Sequence, residues 1–307
     1  MLEQLRQCLA ENEIYEKEPL SKHTTFRIGG PADLYLVPYG KESLKQVLSI
    51  LKNYEIPVYL LGKGSNVLFG DGGFRGAVVE IGRGMEQVKF LTTVMVDAEA
   101  GISLAKLANI LAEKSLTGFE FASGIPGTVG GAVTMNAGAY GGEIRDCIKE
   151  AVVLDCEGNE KTLSRKELEL GYRNSVIQRE NYFVLSAVFE FERGDRETIV
   201  ARMKELNSRR KEKQPLEYPS AGSTFKRPRG YFAGQLIDDA GLRGYSVGGA
   251  QVSEKHCGFV VNKGNATAED VLQLIRDVQE QVKQNSGVLL EPEVRLVGEF
   301  LKGRFTL

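Results

Sequence analysis

The sequence lacks the residues on which most metal-binding and disulfide-bonded proteins depend. Its 307 residues include two histidines and four cysteines, and the cysteines are scattered without a C-x-x-C pair. A structural zinc site takes four clustered cysteine or histidine ligands, so this pattern argues against one. We therefore interpret the cysteines as reduced thiols and predict that the protein holds no metal.

Long apolar runs and a strong net charge are also missing. The sequence contains no run of eighteen apolar residues, which a transmembrane helix needs. Its first eighteen residues are charged throughout and lack the apolar stretch of a signal peptide. The formal net charge of -2 supplies no global field that recruits nucleic acid or an anionic membrane. We predict a cytoplasmic protein with no membrane insertion, no nucleic-acid partner and no evident protein partner.

Glycine, by contrast, is abundant: 35 residues, more than a tenth of the chain, against a typical share of about 7%. One concentration is the loop Gly62-Lys63-Gly64-Ser65-Asn66, which lies between predicted strands. It is not a Rossmann fingerprint, because Val67 stands where the third glycine belongs and no helix follows. Its backbone N–H groups, free of bulky side chains, suit a pyrophosphate. A plain turn between two strands is the alternative.

The second concentration has seven glycines between Gly124 and Gly142, with apolar residues such as Ile125 and Val129 between them. Flexible linkers are polar and rich in serine, and this segment is neither. We interpret it as packed backbone that a flat group such as an isoalloxazine ring approaches closely. A tightly packed turn against a neighbouring strand is the alternative.

Hydrophobic periodicity and turn residues predict an α+β protein with three lobes. The predicted helices are residues 1–18, Ser43–Tyr54, Ile102–Ser115 with Ser103 as its cap, Glu197–Glu212, and a helix from Thr267, its N-cap with Asp270 at N3, to Gly287. The predicted strands are Val58–Leu61, Val67–Phe69, Ala77–Val79, the hairpin Ala151–Asp155 and Glu160–Leu163, Tyr182–Glu192 and Val288–Phe300.

Three blocks, in order, resemble the UDP-N-acetylenolpyruvoylglucosamine reductase family. They are Lys22-His23-Thr24-Thr25-Phe26-Arg27-Ile28-Gly29-Gly30-Pro31-Ala32-Asp33, Leu61 to Leu68, and Ser123 to Ala132. The resemblance extends from about Leu20 to Phe300. It implies a two-lobed FAD-binding region of the vanillyl-alcohol oxidase (PCMH) type, followed by a C-terminal α+β substrate-binding domain.

The resemblance also implies domain boundaries and a form of the family. We place FAD-binding lobe 1 at 1–90, lobe 2 at 91–195 and the substrate-binding domain at 196–307, with the last strand packing back on the FAD region. Long members carry an inserted tyrosine-bearing loop that closes over the substrate diphosphate. Only 49 residues lie between Arg173 and Ser223, which leaves no room for that insertion. The chain therefore resembles the short form.

The family's three catalytic positions match Arg173, Ser223 and Glu293. By residue type alone these would be a surface charge, a turn hydroxyl and an exposed strand carboxylate, so the roles rest on the resemblance. It implies NADPH-dependent reduction of UDP-N-acetylglucosamine enolpyruvate to UDP-N-acetylmuramate for peptidoglycan. Hydride from flavin N5 reaches the enolpyruvyl methylene, and Ser223 donates the proton. A guanidinium such as Arg173 suits the charge that develops on the substrate carboxylate.

The cofactor is predicted to be non-covalent FAD, because neither glycine loop contains a histidine or cysteine to which flavin could be linked. The predicted FAD contacts are Gly62, Lys63, Gly64, Ser65, Asn66, Ser123, Gly124, Ile125, Pro126, Gly127, Gly131, Ala132, Asn136, Ala137, Gly138, Arg209 and Arg210. The predicted substrate contacts are Lys213, Lys226, Arg227, Tyr231 and Gln235. A solvated helix face is the alternative for each of these cations.

Two other functions are compatible with the same motifs. One is a different FAD oxidoreductase of this fold, such as an alcohol or sugar-lactone oxidase. The other is a nucleotide-sugar-binding protein that has lost its redox role. Flavin colour separates the last from the enzymes, since a flavoenzyme is yellow and releases flavin on denaturation.

Overall fold

The computed structural model describes residues 1–300 and the backbone of strand 303–305. The α-helices are α1 (Leu2–Cys8), α2 (Gly40–Asn53), α3 (Leu104–Glu113), α4 (Val129–Met135), α5 (Val176–Arg179), α6 (Arg196–Lys213), α7 (Ala233–Asp239) and α8 (Ala268–Ser286). Short 3₁₀ turns lie at Glu11–Glu13, Leu20–Lys22, Glu120–Ala122 and Ile144–Asp146.

The strands alternate with these helices along the described chain. They are β1 (Ile14–Pro19), β2 (Pro31–Leu36), β3 (Val58–Leu61), β4 (Val67–Phe69), β5 (Phe74–Glu80), β6 (Val88–Phe90), β7 (Met95–Glu99), β8 (Leu116–Thr117), β9 (Gly138–Ala139), β10 (Gly142–Glu143), β11 (Ile148–Leu154), β12 (Glu160–Ser164), β13 (Phe183–Glu190), β14 (Glu192–Arg193), β15 (Ser220–Ser223), β16 (Ser246–Val247), β17 (Ala250–Val252), β18 (Phe259–Asn262), β19 (Arg295–Phe300) and β20 (Gly303–Phe305).

Contacts divide the chain into two units. The first contains Met1–Tyr15, Tyr35–Gly62 and Val78–Arg210, and the second contains Glu16–Leu34, Lys63–Ala77 and Lys211–Leu307. A four-stranded sheet has the order β1-β2-β5-β3, and the chain passes between the units within β1, β2 and β5. The first glycine loop also contains such a passage, between Gly62 and Lys63. The predicted lobe boundaries at 90 and 195 stay a prediction.

The first unit is built on an antiparallel sheet of order β12-β11-β13-β7-β6. Helix α4 packs against the central strand β13. Phe119 lies edge-on or tilted to Phe121, Phe189 and Phe191, with ring centroids 5.5–5.8 Å apart. This aromatic cluster fixes the segment that leads into the second glycine loop.

The second unit has a sheet of order β15-β18-β17-β16 and a shared apolar core with α7 and α8. Helix α8 buries the predicted stripe of Val271, Leu274, Ile275, Val278 and Val282. Strand β19 pairs in parallel with β4, with Arg295 opposite Val67. This pairing brings the strand after the first glycine loop beside the segment that carries Glu293.

Most predicted elements are confirmed, including the Ser103 cap, the β11–β12 hairpin and the Thr267–Asp270 capping box of α8. Three predictions are wrong in part. The helix predicted over residues 1–18 stops at Cys8, and Ile14–Pro19 forms β1. Helix α4 lies inside the second glycine loop, where no helix was predicted. The final strand begins at Arg295 and not at Val288.

Candidate active site

The first glycine loop needs its glycines because protein packs against them. A Cβ on Gly62 would lie 2.8 Å from Oγ1 of Thr128, which is too close for real atoms. Gly64 has φ = +59°, and a Cβ there would overlap the carbonyl oxygen of His23. Thr25 belongs to the block of residues 22–33, and its N–H donates to the carbonyl of Gly64 at 3.1 Å. This hydrogen bond holds the loop in place.

The N–H groups of this loop fit an anionic oxygen ligand. Within residues 1–300, the N–H groups of Lys63, Gly64 and Ser65 donate to no protein acceptor, although Gly64 is buried as a residue. Successive N–H groups around a residue with positive φ form an anion-binding concavity. The loop therefore has the donors that a pyrophosphate of FAD would use.

The second glycine loop contains a short helix, α4, with its own caps. Thr128 precedes α4, and its hydroxyl accepts the N–H of Gly131 at 3.4 Å. Gly131 is exposed, and a Cβ there would meet only Thr128, at 3.6 Å. Asn136 ends α4 with φ = +43° and is completely buried. The loop thus presents a glycine-lined first turn of a helix and buries its C-terminal end.

Helix α6 packs against the start of this loop. The hydroxyl of Ser123 donates to the carbonyl of Glu120 at 2.9 Å and accepts a bond from Asn207 at 3.4 Å. A Cβ on Gly124 would overlap Oδ1 of Asn207 and lie 3.2 Å from Nη1 of Arg210. The glycine therefore lets the loop approach the helix that carries the predicted cations.

Arg209 and Arg210 have different environments. Arg209 is exposed, and its guanidinium pairs with Glu205 at 2.5 Å on the helix surface. Arg210 is half-buried beside Gly124, and burial lowers its pKa, although an arginine stays charged at any physiological pH. Of the two predicted cations, Arg210 is therefore the one that lies next to the glycine loop.

Arg173 occupies a tight turn in the first unit. Gly171 and Asn174 exchange two backbone hydrogen bonds at 3.0 and 3.2 Å, and Arg173 has φ = +53°. Its Nη2 donates to the carbonyl of Gly138 at 3.4 Å, and its guanidinium lies 5.1 Å from the Tyr172 ring centre. A left-handed arginine is uncommon, and such backbone often occurs at functional sites.

Asn136 connects this turn to the second glycine loop. Its Nδ2 donates to the carbonyl of Gly171 and to Glu143, each at 2.9 Å, while its Oδ1 accepts the N–H of Arg145 at 2.9 Å. The side chain is thus committed to the protein, so any contact with FAD falls to the backbone of this residue. The buried side-chain amide of Asn136 thus connects the turn of Arg173 to the second glycine loop.

Ser223 and Glu293 meet in the second unit. The N–H of Glu293 donates to the carbonyl of Thr224, the residue after Ser223, at 2.8 Å. Asn66 brackets the same segment: its Nδ2 donates to the carbonyl of Glu293 at 3.3 Å, and its carbonyl accepts the N–H of Arg295 at 3.1 Å. The structure therefore brings together the end of the first glycine loop and the backbone segments that carry the predicted proton donor and the predicted carboxylate.

The predicted substrate contacts are exposed or half-buried in the second unit. Arg227 lies over the Phe232 ring at 4.0 Å, and its Nε donates to the carbonyl of Tyr231 at 3.3 Å. Lys226 pairs with Glu291 at 3.3 Å. Lys213 is the last residue of α6, and Gln235 donates to Asp239 at 2.7 Å. Only Arg227 and Tyr231 of this set are joined by a described hydrogen bond.

Sequence reasoning missed the roles of Thr128, Asn136 and Thr224 as structural supports. Thr128 could have been found, because threonine is a preferred N-cap residue and its hydroxyl caps the N–H three residues later, here that of Gly131. The bonds from Asn136 to Gly171 and from Thr224 to Gly258, Val260 and Glu293 connect positions far apart in sequence, so no local pattern reveals them.

The part of the chain that the structure describes contains neither a membrane-spanning helix nor a group of metal ligands. None of its helices has the length and apolar composition needed to cross a membrane. Nor do its histidine, cysteine, aspartate and glutamate side chains form a group of three that could hold a metal ion.

Comparisons with known proteins first define the class. Residues 32–164 match the sequence family described as FAD binding domain, so the chain contains an FAD-binding domain of an α+β flavoprotein. Residues 214–297 match the family described as UDP-N-acetylenolpyruvoylglucosamine reductase, C-terminal domain. The two matches cover the two glycine loops and the Ser223–Glu293 segment respectively.

Individual relatives then define the family. The chain is 55% identical to the UDP-N-acetylenolpyruvoylglucosamine reductase of Lachnoclostridium phytofermentans over 97% of each chain. It is 50% identical to that of Caldanaerobacter subterraneus, over 97% of this chain and 98% of the relative. The crystal structure of the Thermus caldophilus reductase matches with 35% identity and a TM-score of 0.79, covering 91% of this chain and 97% of that one. The chain belongs to the UDP-N-acetylenolpyruvoylglucosamine reductase family.

Proposed function

We propose that this protein catalyses the FAD-dependent reduction of UDP-N-acetylglucosamine enolpyruvate to UDP-N-acetylmuramate, with NADPH as the reductant, in peptidoglycan precursor synthesis. Family membership over nearly the whole chain supports the reaction. The observation that carries the assignment to particular residues is the junction of Ser223 and Glu293 through Thr224. We place the reaction in the cytoplasm, where nucleotide-linked precursors and NADPH are available.

FAD, held by the N–H groups of Lys63, Gly64 and Ser65 and by the second glycine loop, would supply a hydride for the terminal methylene of the enolpyruvyl group. Negative charge then develops on the substrate carboxylate. The guanidinium of Arg173 binds that carboxylate through two parallel N–H donors, a geometry that lysine cannot reproduce. Because the interaction strengthens as the charge grows, it stabilises the transition state more than the bound substrate.

Ser223 supplies the proton that the adjacent carbon needs, which completes the addition of hydride and proton across the double bond. Its side chain is exposed at the end of β15, so the hydroxyl is accessible to a ligand. Glu293 is bound through its backbone to Thr224, and we assign its side chain to orienting or protonating the substrate carboxylate. General-acid help of this kind is typically worth about 10²- to 10⁴-fold in rate.

Replacing Ser223 with alanine tests this assignment. We expect NADPH to bleach the flavin of Ser223→Ala at about the wild-type rate, while reoxidation by the enolpyruvyl substrate slows by roughly 10²- to 10⁴-fold. Stopped-flow absorbance at the flavin band measures both half-reactions separately. Reoxidation at the wild-type rate would remove Ser223 from the mechanism.

The reaction itself has a separate test in the unmodified protein. The purified protein should be yellow and should oxidise NADPH faster when the enolpyruvyl UDP-sugar is added. A yellow protein without this response favours a different oxidoreductase of the same fold. A colourless protein that binds UDP-sugars favours the non-redox alternative.

A further inference from the structure

Thr224 uses all of its polar groups to join three segments of the second unit. The residue is buried, with 3% of its surface exposed. Its N–H donates to the carbonyl of Gly258 and its carbonyl accepts the N–H of Glu293, each at 2.8 Å. Its hydroxyl oxygen accepts the N–H of Val260 at 2.9 Å. Thr224 therefore ties the Ser223 strand to β18 and to the Glu293 segment at once.

The backbone around Ser223 is irregular, which explains the need for a support. Strands β15 and β18 shift register between Ser220 and Ser223. Gly222, inside the shift, has φ = +78°, and a Cβ there would meet nothing within 4 Å. A bulge of this kind re-aims the side chain that follows it and interrupts the regular ladder. Ser223 thus lies at the end of a β-bulge, and the hydroxyl of the next residue, Thr224, binds this end of β15 to β18.

Burial separates the tasks of the two neighbouring residues. Ser223 is exposed and Thr224 is buried, as alternation along a strand requires. The Thr224 side chain therefore faces the core and does not contact a ligand beside Ser223. Its hydroxyl can affect the reaction only through the backbone that it holds.

We propose that Thr224 is a positioning residue that sets the geometry of both Ser223 and Glu293. The proposal rests on the proposed function, because it concerns the two residues that act on the substrate. Valine has nearly the same shape as threonine but offers no acceptor, so Thr224→Val leaves the N–H of Val260 buried without that bond. Serine keeps the acceptor and loses only a methyl group.

Half-reaction kinetics of the flavin-loaded full-length protein test the proposal. In Thr224→Val we expect flavin reduction by NADPH to stay within about threefold of wild type. We expect reoxidation by the enolpyruvyl substrate to slow roughly 10- to 100-fold, since small displacements of a reacting group have effects of this size. Thr224→Ser should recover most of the rate.

A stability-matched control separates positioning from general weakening. Val278 is fully buried on α8 in the same core and has no described polar bond to the Ser223 or Glu293 segment, so Val278→Ala loosens the unit elsewhere. The proposal predicts normal reoxidation in Val278→Ala at a similar denaturation midpoint. It is overturned if Thr224→Val reoxidises as fast as this control, or if Thr224→Ser is as slow as Thr224→Val.

Hydrogen exchange gives a readout that does not depend on turnover. In the flavin-loaded protein, Thr224→Val should speed exchange of the Val260 and Glu293 amides by at least about tenfold, and Thr224→Ser should restore protection. Unchanged exchange at both amides overturns the proposal even if the enzyme is active. If wild type does not reduce the enolpyruvyl substrate, the proposed function fails, and exchange alone decides whether Thr224 holds the two segments.

Discussion

The two units hold their predicted catalytic residues by different kinds of hydrogen bond. In the first unit, amide side chains connect the turn of Arg173 to neighbouring segments: Asn136 donates to the carbonyl of Gly171, and Gln178 donates to the carbonyl of Arg173 at 3.3 Å. In the second unit Ser223 and Glu293 are joined through the main chain of Thr224. Amide side chains thus anchor the Arg173 turn to its surroundings. The Ser223–Glu293 junction relies mainly on main-chain hydrogen bonds, with the Thr224 hydroxyl and the Asn66 side chain in addition.

This difference has a consequence for substitution. Deleting a side chain that supports the Arg173 turn removes its hydrogen bonds outright, and the turn has a left-handed residue that needs such support. Main-chain bonds survive most substitutions, so the Ser223–Glu293 junction should tolerate nearby changes other than loss of the Thr224 hydroxyl. We therefore expect the largest distant effect on activity in the first unit.

Replacing Asn136 with glycine should give that largest effect. Glycine accepts the φ of +43° at this position, so the change removes three hydrogen bonds without adding backbone strain. We expect kcat for substrate reduction to fall by roughly 10²-fold, because Arg173 loses its fixed position. Asn181→Gly is the matched control, since Asn181 is an exposed asparagine with φ = +53° in the same unit.

A double-mutant cycle shows whether Asn136 acts through Arg173. If it does, Asn136→Gly combined with Arg173→Lys should be little slower than Arg173→Lys alone. Fully additive losses would mean that Asn136 affects the reaction by another route, such as FAD binding. Flavin content measured from absorbance distinguishes that route directly.

Removing the Asp71 carboxylate should lower stability with little effect on catalysis. Its two oxygens accept the N–H groups of Ala268 and Glu269 at 2.8 and 3.0 Å, in the first turn of α8. Losing a cap and a favourable charge at a helix N-terminus costs about 1 kcal/mol. We expect a lower urea midpoint for Asp71→Ala, with Asp71→Asn intermediate. A large loss of kcat at an unchanged midpoint would contradict the view that main-chain hydrogen bonds hold Ser223 and Glu293 in place.

Local signals explain which parts of the fold could be predicted. The α8 capping box and the β11–β12 hairpin are encoded within a few residues, and both are confirmed. Helix α4 was missed because glycine has poor helix propensity, and β1 because a charged edge strand has no clear alternation. The resemblance predicts catalytic roles for Ser223 and Glu293. Their junction depends on pairing between segments about seventy residues apart, which no single-sequence pattern contains.

The smallest expected effect is a pH dependence of the second unit's stability. Burial lowers the pKa of His256, and the positive charge of Arg243 lowers it further. Its Nδ1 accepts the N–H of Gly258, whose carbonyl in turn accepts the N–H of Thr224. Below the ordinary histidine pKa of about 6.5, the unfolded chain binds a proton that the folded protein resists, so stability falls as pH decreases.

Urea denaturation of the flavin-loaded protein between pH 8 and pH 5 measures this effect. His256→Gln should give a shallower fall in the midpoint over that range, because glutamine does not titrate. His256 is connected to Thr224 through the main chain of Gly258. We therefore expect the reoxidation rate to change little over the pH range in which the urea midpoint falls. An equal fall of the urea midpoint with pH in wild type and His256→Gln would show that protonation of His256 does not affect the stability of the second unit. A matching fall in reoxidation rate would show that the junction of Ser223 and Glu293 is less robust than its backbone bonds imply.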